Sequence, residues 1–513
     1  MIGRRSLLTV LLSSLAGLLP QSLQARRRDT LRRTAERRTR RTKPEGVAED
    51  KIWTSYYSGT RVWGYVNKHS VVPGETFDFM ASSKRGEING RIEIYRIGHY
   101  PNGDRELVWR GENVEVSANG VQSTAAALGA GWPPAVDHVA TDGWRSGYYT
   151  IDFIDDADGN RDENVAYIVV TNPDKDGDIL VELSTNTYQA YNKWGGYSFY
   201  ETAFVGDRAQ MISFNRPTPP DFFEYEYYFV KWLEGLAARQ QLKIDYATNF
   251  DVFHDPEFAT KYPLFISGSH NEYWSKEEFD AVYDRIFKLG KNTLFLGANT
   301  AYWQVRYADL DRSGRNPDWG RQLICYKDED DPVRYRNANT KDSILLVTER
   351  FRDEARRPET MLMGVAYQNY FEAAGPAKYP YYVNRTDFPF FRGTGYNKGD
   401  RIGDVVGYEW DNTDPDGDGK RLWDAEKSQI KAIDPSAINV LFTGSPIDLS
   451  GQRGKAEAVY FVSKAGAKVF SSGSIRWAWG LGKPSFASEQ FRKFNENLVM
   501  HLLDRESSSR FGG

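Results

Sequence analysis

An apolar run that leads into a tyrosine-rich segment, residues 180–200 (LVELSTNTYQAYNKWGGYSFY), constrains the fold of this chain most strongly. The apolar run is typical of a strand buried on both faces, as in a parallel sheet covered by helices. The segment that follows is predicted to be a loop with four tyrosines, ending in Gly195-Gly196. Ligand sites in parallel sheets form just beyond the carboxyl ends of the strands, so this loop is a candidate site. Taken alone, the tyrosines favour a packed aromatic cluster.

A second strand end follows in the segment 262–275 (YPLFISGSHNEYWS). Its apolar run predicts a short strand over 264–266, and His270 and Glu272 come after the turn that follows. Ser275 with Glu278 three residues later is a capping-box pattern, which predicts that a helix starts there. Because the helix start fixes where the preceding strand must end, we expect the imidazole of His270 and the carboxylate of Glu272 at the edge of the sheet.

A third apolar run, Thr293–Leu296, ends in Gly297-Ala298-Asn299-Thr300. Three successive strands would then bring Tyr191, His270 with Glu272, and Asn299 to one edge of one sheet. An active site in an α/β protein requires this kind of convergence.

The length of 513 residues exceeds a single hydrophobic core, so two or three domains are expected. Residues 52–173 consist of short alternating runs separated by Gly, Pro and Asn, which predicts an antiparallel β-sandwich. Residues 174–505 alternate strands with helical periods, which predicts an α/β domain with a mostly parallel sheet and an insertion at about 305–435. Within this domain the sequence predicts helices Phe229–Leu242, Lys276–Leu289 and Glu489–Leu503, and strands Ser343–Thr348 and Arg401–Trp410.

The first 25 residues have the pattern of a targeting segment. Arg4-Arg5 precede an apolar run of 13 residues, Leu7–Leu19, which is shorter than the ~20 residues that span a membrane. This pattern resembles a twin-arginine signal and predicts export of the folded protein to the periplasm or the medium. Cleavage after Ala25 stays open, because Leu23 stands where a small residue is usual, and an uncleaved anchor is the alternative.

Residues 26–51 are predicted to be a basic, disordered linker, and 506–513 a short tail. Between 26 and 43, nine arginines and one lysine stand against two acidic residues, a net charge of +8. Such a run can contact membrane phosphates. With a total of −4 and two arginines in the targeting segment, residues 44–513 carry −14. An acidic folded part argues against nucleic acid as a partner.

Several other motifs are weak. The single cysteine, Cys325, excludes an intrachain disulfide and a thiolate zinc site. It does not lie at a strand-to-helix elbow, which disfavours a cysteine nucleophile. The run 414–419 (DPDGDG) imitates half of a calcium-binding loop, but Ala425 stands where the bidentate Glu is required.

Five motifs in order carry a family resemblance: AYNKWGG (190–196), SHNEYWS (269–275), FLGANTAYWQ (295–304), GYEWD (407–411) and SIRWAWGL (474–481). Together they resemble the large (beta) subunit of N,N-dimethylformamidase over about 52–505. The resemblance implies an immunoglobulin-like sandwich followed by a glutamine-amidotransferase-like α/β domain. It also implies one iron, held by two tyrosines and a glutamate. The twin-arginine pattern departs from that family, whose enzyme works in the cytoplasm.

Carried over by motif, the resemblance implies that Tyr191 and Glu272 bind the iron. The second tyrosine is expected in the sandwich motif SGYY, at Tyr149, with its neighbour Tyr148 as the alternative. His270, Asn299 and Glu409 match positions that serve the reaction. Arg476 and Trp477 lie in a matching block to which no role beyond shaping the pocket is assigned.

Phenolate and carboxylate oxygens suit a hard, Lewis-acidic cation such as ferric iron. The expected function is therefore an exported, mononuclear-iron-dependent amidohydrolase that cleaves the C–N bond of a small amide. The alternative from another class is a non-catalytic cell-envelope protein that binds a saccharide or peptide. The sequence leaves open which amide is cleaved, whether a small companion subunit exists, and whether the chain forms a homo-oligomer.

Overall fold

The computed structural model describes residues 60–505, except 85, 201–207, 218–220, 309–319, 336–344, 354, 374, 376 and 416–432. The predicted signal, basic linker and tail, and most of the calcium-like run, lie outside the described residues. In the described part, no helix is long and apolar enough to span a membrane.

The N-terminal part forms two sheets that share one core. Their strands are β1 Val62–Val66, β2 Ser70–Val71, β3 Thr76–Ser83, β4 Ile88–Tyr100, β5 Gly103–Val116, β6 Pro134–Ala140, β7 Gly147–Asp155 and β8 Arg161–Val170. One sheet has the order β1-β3-β6 and the other β2-β8-β7-β4-β5. Apolar side chains from both sheets, such as Phe79 and Phe153, pack into one core. Neighbouring strands are antiparallel except for β2 and β8, so the predicted β-rich region is confirmed.

An eight-stranded sheet organises the rest of the chain. The remaining strands are β9 Ile179–Leu183, β10 Met211–Ser213, β11 Ile244–Thr248, β12 Leu264–Ser267, β13 Tyr273–Ser275, β14 Asn292–Phe295, β15 Trp303–Ala308, β16 Gln322–Ile324, β17 Ala366–Tyr370, β18 Tyr381–Val383, β19 Glu409–Asn412, β20 Asn439–Gly444, β21 Ala456–Val462 and β22 Lys468–Ser471. The large sheet has the order β11-β9-β12-β14-β22-β21-β20-β18. Strands β9, β12 and β14 are neighbours and parallel, so their carboxyl ends share one edge.

The α-helices of the described residues are α1 Ala125–Leu128, α2 Thr185–Tyr191, α3 Tyr227–Gln240, α4 Asn249–His254, α5 Glu257–Thr260, α6 Lys276–Phe287, α7 Thr360–Met363, α8 Trp479–Gly482 and α9 Glu489–Leu502. Of these, α3, α6 and α9 are long and the others are short. Helices α3, α6 and α9 agree with prediction to within two residues at each end. Ser275 caps α6, with Glu278 bonding back to it, as the capping-box pattern predicted. A π-helical turn, Phe222–Glu226, leads into α3.

The structure departs from prediction in three places. The large sheet is mixed, because β21, β20 and β18 run antiparallel to their neighbours. The segment after β9 begins as helix α2, not as a loop. In the insertion, residues 345–349 form no strand, and 401–410 form a strand only from Glu409 onward. Regular pairing there depends on partners distant in sequence, which local patterns do not reveal.

Buried contacts join the sandwich to the α/β part. Arg96 of β4 bonds Glu234 of α3 at 2.8 Å, and both side chains are largely buried. Tyr148 of β7 stacks on Phe222 with ring centroids 3.6 Å apart. The two parts therefore pack together through specific contacts. That the first has an immunoglobulin-like fold and the second a glutamine-amidotransferase-like fold stays an expectation.

Candidate active site

The carboxylate of Glu272 lies at the centre of a buried cluster of oxygen atoms. Tyr191 donates its phenol hydrogen to Glu272 Oε2 at 2.6 Å, and Tyr200 donates to Oε1 at 2.7 Å. The two phenol oxygens are themselves 2.8 Å apart. Glu272 is only 2% exposed. Two phenols and one carboxylate therefore converge on one point inside the protein.

The sheet edge places these groups. Tyr191 is the last residue of α2, which follows β9 directly, and Glu272 lies in the connection from β12 to β13. The backbone N–H of Glu272 donates to the Thr187 hydroxyl at 3.0 Å, which ties that connection to α2. The predicted convergence of strand ends therefore does bring Tyr191 and Glu272 into contact.

His270 lies between two carboxylates. Its Nε2 is 3.6 Å from Glu272 Oε2 and 3.6 Å from Glu409 Oε2, and all three side chains are buried. Burial lowers the pKa of His270, but the two carboxylates outweigh it and raise the pKa to about 10. The imidazole is therefore a cation at neutral pH, and it lowers the pKa of Glu272 against the effect of burial.

Asn299 joins the same group from the end of β14. Its Nδ2 donates to Glu409 Oε2 at 3.2 Å, and its backbone N–H donates to Asp411 Oδ1 at 2.8 Å. The structure thus brings together five of the six side chains predicted from the sequence: Tyr191, His270, Glu272, Asn299 and Glu409.

The sixth residue, Tyr149, does not reach this cluster. Its phenol donates to the Arg145 carbonyl at 2.6 Å, and its ring stacks on Trp144 within the sandwich core. Successive side chains of a strand point to opposite faces, so Tyr148 faces the α/β part instead. There it stacks on Phe222 and does not hydrogen bond to Glu272. In this structure the phenol beside Tyr191 and Glu272 is therefore that of Tyr200, while Tyr149 as a metal ligand stays a prediction.

Sequence reasoning also missed a lysine beside the cluster. The ammonium of Lys327 lies 3.5 Å from the ring centroid of Tyr200 and 4.8 Å from that of Trp303. Burial lowers its pKa to about 8, although Glu272 acts to raise it. Lys327 follows β16, where no motif marked it. Tyr273, also unassigned, donates to the Tyr200 oxygen at 2.8 Å.

The other residues that the sequence motifs singled out do not belong to this cluster of oxygen atoms. Burial raises the pKa of the Cys325 thiol to about 12, which disfavours the thiolate that a cysteine nucleophile requires. The guanidinium of Arg476 donates to the carbonyls of Ala373 and Ala377 and stacks near Phe371. Trp477 is fully buried in the core. These two residues stabilise the surroundings of the site.

The donor set fits a hard cation. Among the described residues, no group of three or more His, Cys, Asp or Glu side chains is arranged to hold a metal ion. The cluster of Tyr191, Tyr200 and Glu272 instead offers phenol and carboxylate oxygens, which hard cations prefer. Burial, followed by the charge of Glu272, raises the pKa of both phenols well above their usual value. Both phenols therefore keep their protons unless a bound cation displaces those protons.

The fold and the site define an α/β protein with a buried, charged site at the carboxyl edge of its parallel strands. The model of a known family, described as N,N-dimethylformamidase beta subunit-like, C-terminal, matches residues 91–491. The chain belongs to this family, which confirms the resemblance found in the motifs. A search of curated proteins found no match. Membership is consistent with an amide hydrolase in general.

Proposed function

We propose that this protein is an iron-dependent amidohydrolase that cleaves the C–N bond of a small amide. The contact of two phenols with one buried carboxylate carries the proposal, because three oxygen donors within hydrogen-bond distance form a ligand set for a hard cation. Tyr191, Tyr200 and Glu272 hold the metal. When bound, ferric iron supplies Lewis acidity toward a carbonyl or water oxygen.

Two neighbouring side chains transfer protons, and a third orients one of them. In amide hydrolysis, water adds to the carbonyl carbon, the C–N bond breaks, and the nitrogen leaves with a proton. Glu409 Oε2 accepts a proton from the attacking water, and His270 Nε2 donates one to the leaving nitrogen. Asn299 fixes the orientation of Glu409 through its 3.2 Å hydrogen bond. The products are a carboxylic acid and an amine.

The chain acts outside the cytoplasm in this proposal. The pattern Arg4-Arg5 with the apolar run Leu7–Leu19 supports export by the twin-arginine route, which carries folded proteins. Folding before export suits a protein that takes up iron in the cytoplasm. The basic linker then lies near the membrane surface.

The experiment is to purify the full chain, determine its metal content, and follow amine release from a panel of small amides. The proposal expects iron and amide hydrolysis, and it expects that Glu272→Gln loses both, since a neutral amide is a poorer ligand. Glu457, a buried glutamate whose Oε2 accepts hydrogen bonds from the backbone N–H and the hydroxyl of Thr413, provides the matched Gln control. An iron-free wild-type protein without hydrolysis would favour the alternative of a cell-envelope binding protein.

A further inference from the structure

Two carboxyl groups of strand β19 hold Asn299 from the same side. Glu409 and Asp411 lie two residues apart on this strand, so their side chains point to one face. Glu409 Oε2 accepts a hydrogen bond from the side-chain NH₂ of Asn299 at 3.2 Å, and Asp411 Oδ1 accepts one from its backbone N–H at 2.8 Å. One strand therefore fixes both the side chain and the backbone of Asn299, and the mechanism proposed above gives Asp411 no task.

The backbone that Asp411 contacts has an unusual conformation. Asn299 and Ala301 have φ values of 56° and 53°, in the left-handed region, which an alanine rarely adopts. Such a turn persists only where its surroundings hold it. On one side, the Ala301 N–H donates to the carbonyl of Asn271 at 3.0 Å. On the other side, Asp411 holds the turn, so this carboxyl group fixes the direction of the Asn299 side chain.

Asp411 is a buried carboxyl group with little other bonding. It is 1% exposed, and its Oδ2 has no hydrogen-bond partner within the described part of the chain. Burial raises its pKa to about 8, so the group is protonated and uncharged at neutral pH. Burying a polar group costs free energy unless hydrogen bonds compensate, so packing alone does not explain a carboxyl group here. The contact with Asn299 does explain it.

We propose that Asp411 is a positioning residue, which holds the Asn299 backbone so that the Asn299 amide orients Glu409 toward the attacking water. This role rests on the proposed function, in which Glu409 is the base. Asp411 is not one of the oxygen donors around Glu272, and it acts through Asn299. Its loss should therefore lower kcat and leave KM and iron content unchanged.

Two variants with the branching of Asp test this role. Asp411→Asn keeps an oxygen that accepts the Asn299 N–H and carries no charge, so it should retain at least about half of the wild-type kcat. Asp411→Leu has the same number of non-hydrogen side-chain atoms and lacks the acceptor. We expect it to lower kcat by about 10- to 100-fold, the effect of a small misplacement of a catalytic group. Wild-type kcat in Asp411→Leu, or an equal loss in both variants, would overturn the proposal. Asp411→Ala gives the same comparison if Asp411→Leu does not fold.

A second pair of variants separates positioning from a general loss of structure. In a Glu409→Gln background the base is absent, so Asp411→Leu should lower the residual kcat less than about twofold, because the two changes affect one step. An undiminished further loss would show that Asp411 acts independently of Glu409, against the proposal. Asp162→Leu is the control, because Asp162 Oδ2 accepts the backbone N–H groups of Arg61 and Val62 at 2.9 Å in the sandwich. This change should leave kcat unchanged.

Hydrogen exchange separates this inference from the proposed function. The Asn299 N–H should exchange slowly in the wild type and in Asp411→Asn, and at least about tenfold faster in Asp411→Leu, measured by mass spectrometry on peptides that cover 297–301. Equal exchange in all three proteins would overturn the proposal. Faster exchange with wild-type turnover would sink the positioning role and leave the hydrolase. The expected exchange pattern in a protein that hydrolyses no amide would sink the hydrolase and leave the hold of Asp411 on Asn299.

Discussion

Tyr200 and Glu272 are 72 residues apart in sequence, yet the phenol of Tyr200 donates to Glu272 Oε1 at 2.7 Å. This contact completes the pair of phenols around one carboxylate, because Tyr191 occupies the other carboxylate oxygen. Tyr200 belongs to the α/β part of the chain, whereas the family resemblance places the second tyrosine in the sandwich. The proposed metal ligands then all come from one sheet edge and the segment that follows it.

His270 should be needed for turnover and not for metal binding. Its imidazole contacts Glu272 and Glu409 at 3.6 Å, and it is not one of the three oxygen donors. We expect His270→Ala to lower kcat by roughly 10²–10⁴-fold, the usual contribution of a general acid. Its iron content should equal that of the wild type, measured by elemental analysis. His138→Ala, at an exposed site, is the control. Loss of iron in His270→Ala would make the imidazole part of the metal site.

Lys327 should tune the metal-bound Tyr200. A cation 3.5 Å from the ring centroid stabilises negative charge on that ring. Lys327→Met keeps most of the side-chain volume and removes the charge. We expect the phenolate-to-iron absorption band of the loaded protein to move to longer wavelength, because the electrons of the phenolate rise in energy.

Lys175 supplies the control for this shift. Its ammonium lies 4.9 Å from the ring centroid of Phe258, away from the site. Lys175→Met should leave the band where it is. An unshifted band in Lys327→Met would show that the lysine has no electrostatic effect on the iron ligand.

A pair of buried carboxyl groups behind the site should make stability depend on pH. Glu182, at the end of β9, interacts electrostatically with the buried Glu278, and Asn271 donates to Glu182 Oε2 at 2.7 Å. Burial raises the pKa of Glu182 to about 8. The folded protein therefore holds a proton that the unfolded chain releases above its ordinary pKa of 4.5. Stability from this group is present below pH 4.5 and is lost as the pH rises to about 8.

Glu182→Gln tests this linkage. The amide of Gln has nearly the shape of the Glu side chain, and it does not titrate. Between pH 5 and 8, we expect the free energy of unfolding of the wild type to fall more steeply than that of the variant, by roughly 1 kcal/mol per pH unit. Denaturant unfolding at several pH values measures both slopes. Parallel slopes would mean that Glu182 is ionised in the folded protein at neutral pH.

The sequence predicted those parts of the site that follow directly from strand ends. The runs that form β9, β12 and β14 are short and apolar, and the cap at Ser275 fixed the start of α6. Parallel pairing then places Tyr191, Glu272 and Asn299 at one edge without further information. The β-rich and α/β character of the chain followed from the same periodicities.

The missed residues depend on tertiary contacts instead. Tyr200 and Lys327 lie in irregular connecting segments. No hydrophobic periodicity predicts where such segments lie relative to the sheet edge. For Tyr148 and Tyr149 the strand itself was predicted, but adjacent residues face opposite sides, and only the register of β7 decides which side each faces. The pair lies on a strand of the sandwich, as predicted, and neither phenol hydrogen bonds to Glu272 in this structure, so their role as metal ligands stays a prediction.

Metal content and colour in two matched Tyr→Phe variants test the central claim most directly. Phenolate bound to ferric iron absorbs visible light, and Phe keeps the ring while removing the donor oxygen. After expression with ample iron, wild-type and Tyr149→Phe proteins should be coloured and hold about one iron per chain, because the Tyr149 phenol bonds only to the Arg145 carbonyl among described groups. Tyr200→Phe should lose most of its iron and its visible band. Iron retained in Tyr200→Phe and lost in Tyr149→Phe would contradict the site described above.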